Sequence, residues 1–151
     1  MICQELMSRE MIVIAPQTKG REILRLLAED PGRPLLVANE AGFLLGVVTA
    51  RDFLRLHLDW MDGGPFSVTS PTADDEVLRT SVRRLSDLSA GEIMVSAPVV
   101  AQVDTAVNSV IVPMVQQSLN FVPVVREGRI EGVIGRAEIL RLMAGMLPVD
   151  K

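Results

Sequence analysis

The stretch Gly46-Val-Val-Thr-Ala-Arg-Asp-Phe-Leu-Arg-Leu56 recurs as Gly132-Val-Ile-Gly-Arg-Ala-Glu-Ile-Leu-Arg-Leu142. The apolar frame is kept, while Thr49 stands against Gly135 and Asp52 against Glu138. The match extends outward. Glu5-Leu-Met7 aligns with Glu92-Ile-Met94 at an offset of 87, followed by Ile12-Val-Ile14 with Val99-Val-Ala101, and Leu35-Leu-Val37 with Val122-Pro-Val124. A one-residue deletion opposite Ala41 then brings Gly42 onto Gly128 and Gly46 onto Gly132. An internal repeat decides architecture before any single residue does. The organisation read from it is a first unit over 1–57, a connecting segment over 58–88 and a second unit over 89–151.

Each copy carries the same order of periodicities. A helical turn precedes Met7 and Met94, and Ser89-Ala-Gly-Glu92 has the capping-box spacing. Short β-branched strands follow near 11–14 and 98–101. The next helix places Ile23, Leu26 and Leu27 on one stripe in copy 1, with Thr18 as its expected cap. In copy 2, Val107, Val110, Ile111, Met114 and Val115 recur at helical spacing, with Asp104 or Thr105 as cap. Pro113 falls inside that helix, where it removes a hydrogen bond and predicts a kink. Two strands joined by tight turns at 39–42 and 126–128 come next, and the opening motif starts a last helix. The order is β-α-β-β-α twice, an α+β chain. In the connecting segment, Met61–Pro65 and Ser67–Pro71 read as turns and loop. A helix is expected from about Asp74 to 88, packed through Leu78, Val82 and Leu85, with Arg79, Arg83 and Arg84 in solvent.

Composition narrows the function classes. The 151 residues are 48% hydrophobic and 23% charged, enough to bury a core. Aromatic residues are 3% and Tyr is absent, so the core must be aliphatic and methionine-rich. A net charge of -4 speaks against a general nucleic-acid binder. The single cysteine, Cys3, excludes an internal disulfide and a multi-cysteine zinc site, and reads as inert. The single histidine, His57, reads as a helix-end polar residue, and Trp60 as an anchor for the connecting segment or a subunit contact. No apolar run reaches the length of a membrane span and the charged N-terminus is unlike a secretory signal. The expectation is a soluble, cytoplasmic protein without a metal or catalytic constellation.

The motif itself has two readings. Thr49 at an N-cap with Asp52 three residues on is a variant of the capping box, and Asp suits the positive end of the helix dipole. The same hydroxyl and carboxylate at a strand-to-helix junction can also face a ligand. An ionised carboxylate only accepts hydrogen bonds, and a ribose 2′,3′-diol offers two donors. Arg51 and the helix start would favour a phosphate.

Two tandem β-α-β-β-α units with Gly-hydrophobic-hydrophobic-Thr-x-x-Asp at 46–52, Leu6-Met7 and Ile93-Met94, Val122-Pro-Val-Val125, and Gly132-Val-Ile134 resemble a pair of cystathionine β-synthase (CBS) domains, a Bateman module. The resemblance implies two units packed through their sheets with pseudo-two-fold symmetry, and a homodimer. It implies regulatory, non-catalytic binding of an adenosyl ligand, AMP, ADP, ATP or S-adenosylmethionine, read out by a separate partner protein. Carried over by position, Thr49 and Asp52 would hold the ribose, Arg51 a phosphate, and Met11, Ile12 and Leu36 the adenine. The matching second site comprises Val99, Pro123, Gly135, Arg136 and Glu138. Gly135 has no hydroxyl and Glu138 is one methylene longer, so that site is expected to be weak or vacant. The alternative is a structural dimerisation module that has lost its ligand.

Overall fold

The computed structural model describes residues 1–61 and 70–149. Its elements run α1 (Cys3–Leu6), β1 (Ile12–Ile14), α2 (Gly20–Glu29), β2 (Leu35–Ala38), β3 (Leu44–Val48), α3 (Ala50–Trp60), α4 (Pro71–Asp87), α5 (Ala90–Ile93), β4 (Val95–Ser96), β5 (Ala101–Gln102), α6 (Val107–Gln116), β6 (Phe121–Arg126), β7 (Arg129–Gly135) and α7 (Arg136–Gly145). This is the α+β order expected, with β4 added. One sheet has the order β1-β2-β3-β4, the other β5-β6-β7.

The two compact units do not follow the repeat copies. One comprises Met1–Met11, Glu40–Leu44 and Ala97–Lys151, the other Ile12–Asn39 and Leu45–Ser96. The opening segment of each repeat copy therefore packs in the core formed by most of the other copy. The reason lies in where the short helices find apolar partners. Cys3 is buried among Val103, Val110, Met114, Val122 and Ile134, with Leu6 and Met7 packed alongside. Its amide donates to the Thr105 carbonyl at 2.8 Å, and Ser8 and Val133 exchange backbone bonds at 2.8 and 2.9 Å. In the other unit, Ala90 and Ile93 are buried with Ile23, Leu27, Leu35, Val37, Val48, Phe53 and Leu85. There β4 pairs antiparallel with β3, Gly46 opposite Ser96 and Val47 opposite Val95. Sequence similarity traces the duplication, whereas burial of apolar area decides which segments share a core.

Two glycines of the repeated motif receive these incoming segments. A Cβ on Gly46 would lie 2.5 Å from Met94 Sδ and 2.7 Å from the Val95 carbonyl oxygen. On Gly132 it would lie 2.7 Å from both Met7 Sδ and the Ser8 carbonyl oxygen. Only a residue without a side chain lets the strand and methionine approach this closely.

Several helix starts differ from the sequence reading. Thr18 does not cap α2, whose N-cap is Lys19 with no side-chain bond. The cap of α6 is Ala106, and Thr105 instead accepts from the Gln102 amide at 3.0 Å, closing the preceding turn. In both cases the backbone takes over the role. The first helical amide donates to a carbonyl of the exchanged segment, Gly20 to Leu88 at 2.7 Å and Val107 to Met1 at 3.1 Å. Ser89 caps α5 as read, accepting from the Glu92 amide while Glu92 accepts from the Ser89 amide. Helix α6 continues through Pro113, and Val115 is 74% exposed rather than part of the buried stripe.

Helix α4 starts earlier than expected, at Pro71, because Ser70 accepts from the Ala73 amide and Pro71 supplies the helical φ at the first position. The turns read at 61–65 and 67–71 fall largely outside the described residues. Leu85 and Ser81 form its buried face, whereas Leu78 and Val82 are 50% and 43% exposed. Besides Leu85, which joins the core, α4 makes side-chain contacts to α3. His57 Nδ1 lies 2.6 Å from Ser81 Oγ, and the Arg84 guanidinium sits 4.0 Å over the Trp60 ring. Arg84 is thus not a purely solvated residue, and Arg79 pairs with Glu76 at 2.8 Å.

Close approach of α4 to α2 fixes one more position. A Cβ on Gly20 would fall 1.7 Å from the Leu85 carbonyl oxygen, a backbone atom that cannot swing aside. Gly20→Ala is expected to cost about 3 kcal/mol or more, seen as a lower urea midpoint; an unchanged midpoint contradicts the close approach. Burial pushes the Cys3 thiol above its ordinary pKa. A thiol kept neutral in a core is a poor nucleophile, so Cys3 should react with a disulfide reagent at pH 8 only as fast as its unit opens.

Candidate functional site

The Thr49 junction is built by β3 running into α3. Thr49 retains extended backbone angles as N-cap, and the next residue is helical. The Asp52 amide donates to Thr49 Oγ1 at 3.4 Å, and the Thr49 amide donates to Asp52 Oδ2 at 2.7 Å. The Thr49 hydroxyl also donates to the same Oδ2 at 3.0 Å. The capping box is therefore formed, and the motif does the work of starting a helix. It does not use the whole carboxylate: among the described residues Oδ1 has no hydrogen-bond partner, and Asp52 is half-buried. Arg51 is exposed and forms no ion pair with a described residue.

The other residues expected around this junction have distinct placements. Ile12 is half-buried at the start of β1, opposite Leu35 in the parallel pair, and Met11, just before it, is also half-buried. Leu36 is fully buried and stands opposite Val13. Strand β2 is buried along its whole length, so Leu36 presents no surface to solvent.

The counterpart junction, β7 into α7, keeps the same scaffold with different chemistry. The Gly135 amide donates to Glu138 Oε1 at 2.7 Å, the same length as in copy 1. Glu138 Oε2 lies 3.5 Å from Arg141 of the next turn, so both oxygens have partners. The Arg136 amide donates to the Asn120 carbonyl at 3.1 Å, and its guanidinium to the Leu119 carbonyl at 3.3 Å. Pro123 is buried opposite Val133, and Val99 is half-buried. Arg141 was not singled out from the sequence, although its i,i+3 spacing from Glu138 was a readable signal.

A family model for the CBS domain matches residues 3–59 and again 90–145. The chain belongs to the CBS domain family. In sequence it is 26% identical over 145 residues to the uncharacterized protein MJ1225 of Methanocaldococcus jannaschii, spanning 95% of this chain and 47%, about half, of that protein. In structure it is similar to CBSX2 of Arabidopsis thaliana, solved in complex with AMP, with a TM-score of 0.72 at 21% identity over 96% of this chain and 97% of that one. The CBS domain pair of MJ0100, solved with 5′-methylthioadenosine and S-adenosyl-L-methionine, gives 0.68 at 20% identity over 97% and 98%. These likenesses show a CBS-pair fold. No helix among the described residues is long and apolar enough to cross a membrane.

The cap geometry makes a symmetric prediction. Asp52→Ala and Glu138→Ala each remove the acceptor for one N-cap amide, so each should lower stability by about 1 kcal/mol in urea unfolding. A loss at only one of the two positions would show that the other junction does not depend on its capping box.

Proposed function

We propose that this chain is a regulatory, non-catalytic module that binds an adenosyl ligand, AMP, ADP, ATP or S-adenosylmethionine, at the Thr49–Asp52 junction of copy 1. The observation that carries the reading is the Asp52 Oδ1 that has no partner among the described residues, beside the Thr49 hydroxyl, set against a Glu138 whose two oxygens are both engaged. An acceptor-only carboxylate suits a diol, and each charge-assisted bond contributes roughly 1.5–3 kcal/mol. Arg51, free of any described ion pair, would meet a phosphate, and Met11, Ile12 and the β2 backbone at Leu36 would border the base. The AMP complex of CBSX2 and the methylthioadenosine and S-adenosyl-L-methionine complex of MJ0100 support the ligand class. The copy 2 set, Val99, Pro123, Gly135, Arg136 and Glu138, is weak or vacant in this reading. The module acts in the cytoplasm as a homodimer, and passes ligand occupancy to a separate protein by binding two of its conformations unequally.

A structural dimerisation module without ligand is the second reading. It is favoured by the full burial of Leu36 and by the exposed apolar side chains Leu140, Met143 and Leu147 on and just past α7. Thermal-shift measurements with AMP, ATP, S-adenosylmethionine and NAD separate the two, since a ligand of the folded state raises the melting temperature. Calorimetric titration with AMP should then give one site per chain. Asp52→Ala should weaken it at least about tenfold, and 2′-deoxy-AMP should bind less tightly than AMP. Glu138→Ala should leave the affinity unchanged. Two equal sites, or sensitivity to Glu138→Ala with none to Asp52→Ala, would reject the assignment.

A further inference from the structure

We propose that three positions at which the repeat copies differ form a pairing code, which admits each opening segment to the core of the opposite copy and rejects a like copy from a second chain. They are Gly20 against Val107, Leu45 against Glu131, and Phe43 against Arg129. The need for a code comes from the contacts that both openings share. The Cys3 amide donates to the Thr105 carbonyl and the Ala90 amide to the Thr18 carbonyl, each at 2.8 Å. Gln4 donates to Val103 and Gly91 to Pro16, each at 2.9 Å. Met7 on Gly132 and Met94 on Gly46 repeat one seat. All of these are backbone bonds or a methionine on a glycine, and they would form as well with the openings interchanged. They supply affinity without choice. Specificity is a difference between two affinities, so it has to come from positions that are not alike.

Gly20 is a steric gate. The second opening follows α4, whose Leu85 carbonyl oxygen would lie 1.7 Å from a Cβ at position 20. Val107 holds the matching place at the start of α6. In the core of its own copy, the second opening would drive that carbonyl into the Val107 side chain. Glu131 adds charge, 3.1 Å from Arg126 and 3.6 Å from Arg9 of the first opening. The second opening has Ser96 where the first has Arg9, and would bring Glu131 no cation. An exposed ion pair contributes little to stability, so this one only adds to the gate. Phe43 and Arg129 are matching residues that face each other. Leu44 donates to the Gly128 carbonyl at 3.0 Å and Ile130 to the Gly42 carbonyl at 3.1 Å, which makes them a non-hydrogen-bonded antiparallel pair, the kind with the nearest side chains. The Arg129 guanidinium lies 5.2 Å from the centre of the Phe43 ring. Two second copies would instead set Arg129 against Arg129, like charges directly opposite. With second copies barred from each other, the second opening is left the first core and the first opening the second.

Two measurements on the full chain test the code. The first is a double-mutant cycle in thermal melting. Phe43→Arg should lower the Tm by about 1–4 °C. Phe43→Arg with Arg129→Phe should return it to the wild-type value, since ring and cation have only changed sides. Losses that add in the exchanged chain overturn the pair. The second measurement addresses rejection. Val107→Gly, Arg129→Phe and Glu131→Leu together give copy 2 the residues of copy 1. This chain and the wild type are refolded from urea at concentrations up to about millimolar, the effective concentration that linked copies have for each other, and their masses are read by light scattering. A homodimer of complete modules would form in both, so the comparison is made at equal concentration. The recoded chain, with its native far-UV spectrum, should exceed the wild-type mass increasingly as concentration rises. Arg129→Phe with Glu131→Leu, which keeps α6 whole, should do so to a smaller extent, and decides the matter if the triple variant loses the native spectrum. Wild-type masses at every concentration for the natively folded recoded chains overturn the inference.

Discussion

A methionine seated on a bare strand backbone is the contact on which the rest of this molecule depends. Met94 on Gly46 and Met7 on Gly132 bring the opening segment of one repeat copy against the closing strand of the other. Once that contact is made, β4 can pair with β3, and Ser8 with Val133. The short helices α1 and α5 then fall into place over apolar cores. An unbranched thioether suits this role, because it fills an irregular gap that a β-branched chain would not. The same glycines open the motif whose far end, three residues on, is the candidate binding junction. Sheet closure and site placement therefore share one segment of chain.

Duplication gives two equivalent frames, and local neighbours have made them unequal. Gly20 and Val107 occupy matching positions and donate matching backbone bonds. Helix α4 presses its Leu85 carbonyl onto Gly20, whereas Val107 buries a full side chain. The motif shows the same logic at closer range. Thr49 with Asp52 and Gly135 with Glu138 are each self-consistent, and each starts a helix, but among the described residues only the first leaves a carboxylate oxygen without a partner.

Much of this was legible in the sequence, for reasons that can be named. The repeat, the element order, the Ser89 capping box and the tight turns, with Gly42 and Gly128 at φ +87 and +83, follow from local rules. What the sequence hid was non-local. The exchange of opening segments leaves no periodic signature, since Cys3 and Met7 carry the same letters whichever core they enter. Thr18, Asp104 and Thr105 looked like caps, but carbonyls from distant segments satisfied those helix starts first. Of the expected stripe Leu78, Val82 and Leu85, only Leu85 enters the core, and α4 is held besides by His57, Ser81, Trp60 and Arg84, side chains that a hydrophobic pattern ignores. At the site, the capping geometry was readable from spacing alone. Which carboxylate oxygen stays unused depends on Arg141 and on a single methylene.

The exchange also orders events during synthesis. Residues 1–11 are made well before the strands they pack against, which end at Gly135, more than a hundred residues later. Chain pairing over such separations is entropically slow. Every residue of the other unit, Ile12–Asn39 and Leu45–Ser96, is made before the strands that cover Leu6 and Met7. A single copy translated alone could satisfy neither core from its own residues, and its shortest route to burial would be the opening segment of another chain.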